Sequence, residues 1–253
     1  MNWRFIEQQS YSAAMNMAID EAICESVVKN DSLPAIRFYK WKNNSVSIGS
    51  NQNQDEINLT ECKKNKVDVV RRITGGRAVY HDKNDFTYSV IAHIKFFNND
   101  INNAYSDICS WIMDALNQIG IKSELKNKND IMADGKKISG NAAKLFKNGI
   151  YLQHGTLVYD IDFELMPKVM NISKELAKNK IALILQYKKI SQEKVYETLK
   201  NNFIKNKNVE IRGLSKEELK RANELAKTKY SLVILPKENL LKNKGACYVE
   251  VGN

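Results

Sequence analysis

The sequence predicts an α+β fold. Strand-like and helix-like segments interleave without the regular alternation that builds a parallel α/β sheet. Asp134-Gly135 between two strand-like runs is a two-residue hairpin signal, which demands antiparallel pairing. The 253 residues are 43% hydrophobic, enough to bury a substantial core.

Residues 11–29 read as a helix with Ala14, Met17, Ala18 and Ala22 to one side. Residues 35–41 and 45–48 read as strands joined by the polar turn Lys42-Asn43-Asn44. A short helix at 59–64 leads to a strand at 67–71, a glycine turn, and a strong strand at 86–93. Residues 103–119 carry Trp111, Met113 and Leu116 on an apolar-periodic helix. Short strands follow at 122–125, 130–132, 136–139 and 151–158. Two helices close the pattern, near 191–204 and 215–229, the second opening with the capping box Ser215-x-x-Glu218. Residues 231–235 and 247–251 are further strand candidates. With 11 glycines and 3 prolines, no long linker divides the chain.

Composition excludes several classes. No stretch approaches the ~20 apolar residues of a membrane helix. Met1-Asn2-Trp3-Arg4-Phe5 lacks a signal-peptide apolar core. Cys24, Cys62, Cys109 and Cys247 form no CxxC pair, which argues against a zinc knuckle or a disulfide framework and fits a reducing cytoplasm. The net charge of +10 is spread through Lys-rich segments rather than gathered into a basic stripe with interleaved aromatics. That pattern argues against nucleic-acid binding.

Two constellations carry chemistry. The first is Arg71-Arg72-Ile73-Thr74-Gly75-Gly76-Arg77-Ala78-Val79-Tyr80-His81-Asp82, directly after a strand. Its glycines let backbone N–H groups approach an anion, and its arginines supply forked donors for phosphate or carboxylate. A tight hairpin with solvated arginines explains the same residues equally well. The second is Asn129-Asp130, then Gly135-Lys136-Lys137-Ile138-Ser139-Gly140-Asn141-Ala142, then Gln153-His154-Gly155-Thr156-Leu157. Strand alternation turns Lys137 and Ser139 to one face and Lys136 to the other.

Together these ordered motifs resemble the lipoate–protein ligase and octanoyltransferase family, related to biotin–protein ligases. The similarity runs from Trp3-Arg4-Phe5 and Asn16-Met17-Ala18-Ile19-Asp20-Glu21 through Leu157. The resemblance implies a biotin/lipoate ligase-like catalytic domain, a mixed central sheet flanked by helices, with an acyl tunnel. It implies that Lys137 contacts the activated carbonyl and the bridging phosphate oxygen as the catalytic residue. It assigns nucleotide and acyl binding to Arg72, Thr74, Gly75, Gly76, Arg77, Ala78, Val79, Tyr80, His81, Ser139, Gly140, Asn141, His154 and Thr156. Asn129 and Asp130 would lie near the phosphates and Mg²⁺.

The resemblance further implies ATP and lipoate as substrates and an acceptor lipoyl-domain protein, of the glycine-cleavage H type or a dehydrogenase E2 domain. A separately encoded accessory subunit is compatible with it. Residues 1–190 would form the catalytic domain. Residues 191–253 would be a helical extension packed on it, too short for the whole accessory domain of the larger ligases.

Two chemistries occur in the family. Thr74-Gly75-Gly76-Arg77, Phe86-Thr87-Tyr88-Ser89-Val90 and Gln153-His154 resemble transferases, which take an acyl group from a carrier thioester, many through a cysteine. Ligases usually carry a third glycine where Arg77 stands. Asn129-Asp130, Ser139-Gly140-Asn141-Ala142 and Thr156-Leu157 resemble ligases, and residues 124–134 hold no cysteine. The sequence therefore favours an ATP-dependent ligase. A transferase using Cys247 is the alternative, and a non-catalytic acyl-binding module is a second.

Overall fold

The computed structural model describes residues 2–231. Eleven strands and eight α-helices follow in order: β1 (Asn2–Tyr11), α1 (Ala13–Val28), β2 (Ala35–Trp41), β3 (Ser45–Ile48), α2 (Leu59–Lys64), β4 (Asp68–Arg71), β5 (Val79–His81), β6 (Phe86–His93), α3 (Ile101–Gln118), β7 (Glu124–Lys126), β8 (Asp130–Ala133), β9 (Lys136–Leu145), β10 (Ile150–Leu157), α4 (Met166–Val169), α5 (Lys174–Lys180), α6 (Ile184–Tyr187), α7 (Gln192–Ile204), β11 (Asn208–Ile211) and α8 (Lys216–Leu225). The fold is α+β, as predicted.

An eight-stranded sheet has the order β11-β1-β2-β6-β10-β9-β8-β7. β1 runs parallel to both β11 and β2, and every other neighbour is antiparallel. A three-stranded sheet, β4-β3-β5, stands beside it. The strands at 35–41 and 45–48 are both present, but they do not pair with each other. The polar turn between them hands the chain from the large sheet to the small one, so no hairpin forms.

Helices cover both faces of the large sheet. Phe38, Tyr88 and Val90 pack on one side with α3 and α7, through Ile108, Ile112, Leu199 and Phe203. Tyr39, Trp41 and Ile91 pack on the other with α1, α8 and Tyr230. Burial on both faces explains why β2 and β6 read as nearly unbroken apolar runs. The helix ends are legible: Ser12 caps α1, Asp100 caps α3, and Ser215 with Glu218 forms the capping box of α8. Glu218 also pairs with the buried Arg4 at 2.8 Å, which ties α8 to β1.

The hairpin at Asp134-Gly135 forms, with both residues at positive φ. Sequence reasoning missed β1, β5, β11 and the short helices α4 to α6. The strand candidates at 231–235 and 247–251 extend beyond the described residues. Among the described residues, no helix is long and apolar enough to cross a membrane.

Candidate active site

A cavity of about 330 Å³ lies between the two sheets, bordered by Met17 of α1. Its floor follows from register. Tyr39 pairs with Thr87, Thr87 with Thr156, Thr156 with Gly140, and Gly140 with Asp130. Every member of this five-strand row borders the cavity. Arg72, Gly76, Arg77, Ala78, Val79 and His81 contribute the facing wall from the small sheet and its turn. The two motifs, far apart in sequence, therefore meet.

Arg72 organises the turn. Its Nε donates to Thr74 Oγ1 at 3.1 Å, one terminal nitrogen donates to Ser47 O at 2.9 Å, and the other donates to Gly75 O at 2.6 Å and Arg77 O at 2.9 Å. Burial pushes its guanidinium down to about 10. Its donors are thus spent on the loop rather than offered to a ligand. Arg71 turns away and donates to Gly49 O and Gln52 O. The turn also needs its glycines. Gly76 sits at φ +92°, and a Cβ on Gly49 would lie 1.9 Å from Gly76 O.

Two hydrogen-bonded chains run from Arg72 into the large sheet. In the first, Thr74 Oγ1 lies 2.7 Å from His154 Nε2, and His154 Nδ1 lies 3.3 Å from Asp20 Oδ2. Burial opposes ionisation of Asp20, but Arg37 at 2.7 Å and His154 outweigh it and hold the carboxyl below the usual range. An ionised Asp20 assigns the proton to His154 Nδ1, so that Nε2 accepts from Thr74. In the second, Ser47 Oγ lies 2.8 Å from His81 Nε2, and His81 Nδ1 lies 3.0 Å from Thr156 Oγ1. Burial, aided by Arg72 and His154, pushes His81 far down, so its ring is neutral as it stacks on Trp41.

Lys137 stands at the opposite rim. Its backbone is pinned by a bridge to Ile181 and by Ala182 N donating to Lys137 O at 3.0 Å. Its Nζ lies 2.6 Å from Asp130 Oδ1, with the two side chains 41% and 23% exposed. The contact is an ion pair without hydrogen-bond alignment, since that oxygen has no hydrogen-bond partner. Gly140 makes room for the lysine: a Cβ there would sit 2.5 Å from Lys137 Cε. Lys136 points outward and donates to Lys178 O.

Asn129 and Asn141 lock together. Asn141 Nδ2 donates to Asn129 O at 2.9 Å, and Asn129 Nδ2 donates to Asn141 O at 3.2 Å. Asn129 is thereby a strut between β8 and β9 as well as a cavity residue, and its Oδ1 takes no part in the pairing.

Four residues expected at the site do not border the cavity. A register irregularity lets two steps of β9, Lys137 to Ser139, face one step of β8. Such a bulge breaks alternation, so Ser139 is fully buried with its Oγ unpartnered while Lys137 joins the face of Gly140. Tyr80 points into the small sheet's own core, between Val79 and His81, which face the cavity. Thr74 lies beneath the turn as the link to His154, and Gly75 offers its carbonyl to Arg72. Sequence reasoning missed Tyr39, Trp41, Ser47 and Thr87 as cavity residues. The buried polar positions on otherwise apolar strands were the available signal.

Among the described residues, Cys24, Cys62 and Cys109 are free and buried. Burial pushes the Cys62 thiol up to about 11 and the Cys109 thiol up to about 12, which disfavours the reactive thiolate. None of the three borders the cavity. The arrangement is a slot between the two sheets with one cation at each rim, able to hold a chain that ends in a charged or activated carboxyl group.

Known proteins resemble this chain in sequence and fold. Residues 12–204 match the lipoyl protein ligase A/B catalytic domain. The chain is 37% identical over 190 residues to the octanoyltransferase LipM of Clostridioides difficile (strain 630), covering 66% of this chain and 69% of that one. A crystal structure of lipoate-protein ligase A bound with ATP superposes with a TM-score of 0.79 at 28% identity, covering 92% of this chain and 97% of that one. A bipartite lipoate protein ligase from Thermoplasma acidophilum, studied with its E2 lipoyl domain, also gives 0.79, at 26% identity over 91% of this chain and 94% of that one. The family match spans most of the chain, and the identity to a full-length relative agrees with it: the chain belongs to the lipoyl protein ligase A/B catalytic domain family.

Proposed function

We propose that this enzyme is an ATP-dependent lipoate–protein ligase that takes lipoate or octanoate. One observation carries the reading. The Asp130–Lys137 pair faces the glycine turn across one cavity, and the segment ahead of Lys137 supplies Asn129-Asp130 where a thioester relay would need a thiol.

In the first step a carboxylate oxygen of the acid attacks the α-phosphorus of ATP, the bond to the β-phosphate oxygen breaks, and pyrophosphate leaves. In the second a lysine amine of the acceptor attacks the acyl carbon, the carbonyl–phosphate bond breaks, AMP leaves, and the amine proton passes to solvent. Negative charge grows on the carbonyl oxygen and on the departing phosphate, and a fixed ammonium at Lys137 stabilises both. Asp130 and Asn129, both bordering the cavity, fit a hard cation that takes one or two protein oxygens and completes its shell from substrate phosphates. Mg²⁺ bound there would screen the triphosphate.

The acceptor in this reading is a lipoyl domain, of the H-protein or E2 type, working in the cytoplasm. The Thermoplasma neighbour studied with an E2 lipoyl domain supports that class.

The 37% identity to an octanoyltransferase favours a second reading, acyl transfer from a carrier thioester. Cys247, outside the described residues, would then be the thiol to examine. An acylation assay separates the two. Free acid plus ATP should label the acceptor and release AMP, and Cys247→Ser should leave the rate largely unchanged. Labelling from the carrier thioester alone, indifferent to ATP and lost in the serine variant, overturns the ligase reading. Ligand binding without any acceptor labelling would make the chain an acyl-binding module.

A further inference from the structure

The three arginines of the glycine turn have different occupations. Arg71 does not border the cavity and braces the loop at 49–52 through backbone carbonyls. Arg72 is buried and its donors are committed to Thr74, Ser47, Gly75 and Arg77. Arg77 differs from both. Its carbonyl is fixed by Arg72, so its Cα is anchored at the rim, but its side chain is 87% exposed. Among the described residues that side chain has one partner, Glu56, at 3.0 Å, and Glu56 is itself 40% exposed.

An exposed pair of this kind contributes little to stability. The guanidinium keeps most of its fork unpaired, and a fork matches two oxygens of a phosphate better than one oxygen of a carboxylate. Glu56 also accepts from Gln52 Nε2 at 2.9 Å, so it stays satisfied when Arg77 departs. The opposite rim repeats the design: Lys137 is an accessible cation resting on a carboxylate, Asp130.

We propose that Arg77 is the arginine that grips the phosphate of the acyl donor, and that Glu56 is the carboxylate holding it until the donor arrives. The chemistry recognised is a phosphate ester carried by the acyl donor. Under the function proposed above it belongs to ATP and the acyl-adenylate. If the donor is a carrier thioester, it is the phosphate of the carrier's pantetheine arm. The role of Arg77 rests on the geometry, and the identity of the phosphate rests on that reading. The sequence offered Arg71 and Arg72 as the fork and counted Arg77 among the binding positions; the commitments of the first two leave the task to Arg77.

Calorimetric titration of the full chain with ATP, and separately with phosphopantetheine, tests this. Arg77→Gln should weaken whichever ligand the wild type binds by about tenfold or more, the usual effect of losing a charged hydrogen-bond donor. Glu56→Gln should tighten the same ligand, because the competing carboxylate is gone. Thermal melts of both variants confirm that these surface changes leave the chain folded. ATP binding that depends on Arg77 supports both the proposal and the ligase reading. Phosphopantetheine binding that depends on Arg77, without ATP binding, supports the proposal and removes the ligase reading. Unchanged affinity in Arg77→Gln overturns the proposal. So does a loss in Glu56→Gln equal to that in Arg77→Gln, which would make the pair a loop strap. Failure of the wild type to bind either ligand at millimolar concentration overturns it too.

Discussion

One added methyl group should disable this site while leaving the fold intact. An alanine Cβ at position 140 would lie 2.5 Å from Lys137 Cε and 2.7 Å from Nζ. Ordinary carbon contacts sit at about 3.5–4.0 Å, so the end of the lysine must retreat by roughly 1 Å. Nothing else needs to move. Gly140 is not among the positive-φ glycines, so alanine fits its extended backbone. Restricting the unfolded chain there stabilises by about 0.4–1 kcal/mol. A misplacement of about 1 Å at a reacting centre costs on the order of 10²-fold, or about 2.7 kcal/mol of barrier. Gly140→Ala should therefore melt at or slightly above the wild-type temperature and transfer the acyl group about a hundredfold more slowly. The assay is acceptor labelling at saturating donor, run beside a thermal melt. Lys137→Ala in the same background should add little, because both changes remove one interaction. Wild-type turnover by folded Gly140→Ala, or a double variant whose loss is the product of the two single losses, would refute the reasoning.

Three further outcomes are expected. Lys137→Ala should lower the transfer rate by about 10²–10³, whereas Lys136→Ala, whose ammonium faces outward, should change it little, and steady-state rates of the two compare them directly. Asp20→Asn leaves Arg37 buried without its charge partner and should cost about 3–5 kcal/mol in urea unfolding. The depressed Asp20 carboxyl stabilises the fold above its unfolded-state value, and that contribution disappears as pH falls through the folded-state value. The asparagine variant should therefore show a flatter acid limb of stability, and a parallel limb would count against Asp20. Arg72→Lys cannot reproduce the fork to Ser47, Thr74, Gly75 and Arg77, and should destabilise by roughly 3 kcal/mol or more. A melting temperature equal to wild type would remove Arg72 as the brace of the turn.

The long elements were legible because their signals are local. Residues 13–28 and 101–118 carry caps and apolar faces, and Phe86–His93 is apolar enough to be found alone. β1 was missed because Glu7, Gln8 and Gln9 interrupt its apolar pattern where the strand reaches the surface. β11 pairs through only four residues, and its place depends on β1, which is distant in sequence. At the site, the family resemblance supplied the expected roles of Lys137 and Asp130, and local chemistry singled out the glycine turn and the Lys137 strand. It could not reveal that Arg72 is consumed by its own loop, since that requires Ser47 and the carbonyls of Gly75 and Arg77 to converge. It also could not foresee the bulge that separates Ser139 from Lys137, because a bulge is a property of the pairing and not of one strand.

The glycine turn joins β4 to β5, the two strands flanking β3, and Arg72 reaches Ser47 on that middle strand. Thr74 to His154 and His81 to Thr156 then stitch the small sheet to the large one. A donor gripped at the turn and seated on the sheet floor adds another stitch along the same seam. Binding should therefore be felt well beyond the contact atoms, as slowed amide hydrogen exchange throughout β3, β4 and β5. At a hundred times the dissociation constant the linkage amounts to about 2.7 kcal/mol. The small sheet would then act as a clasp whose tightness reports whether the enzyme is loaded.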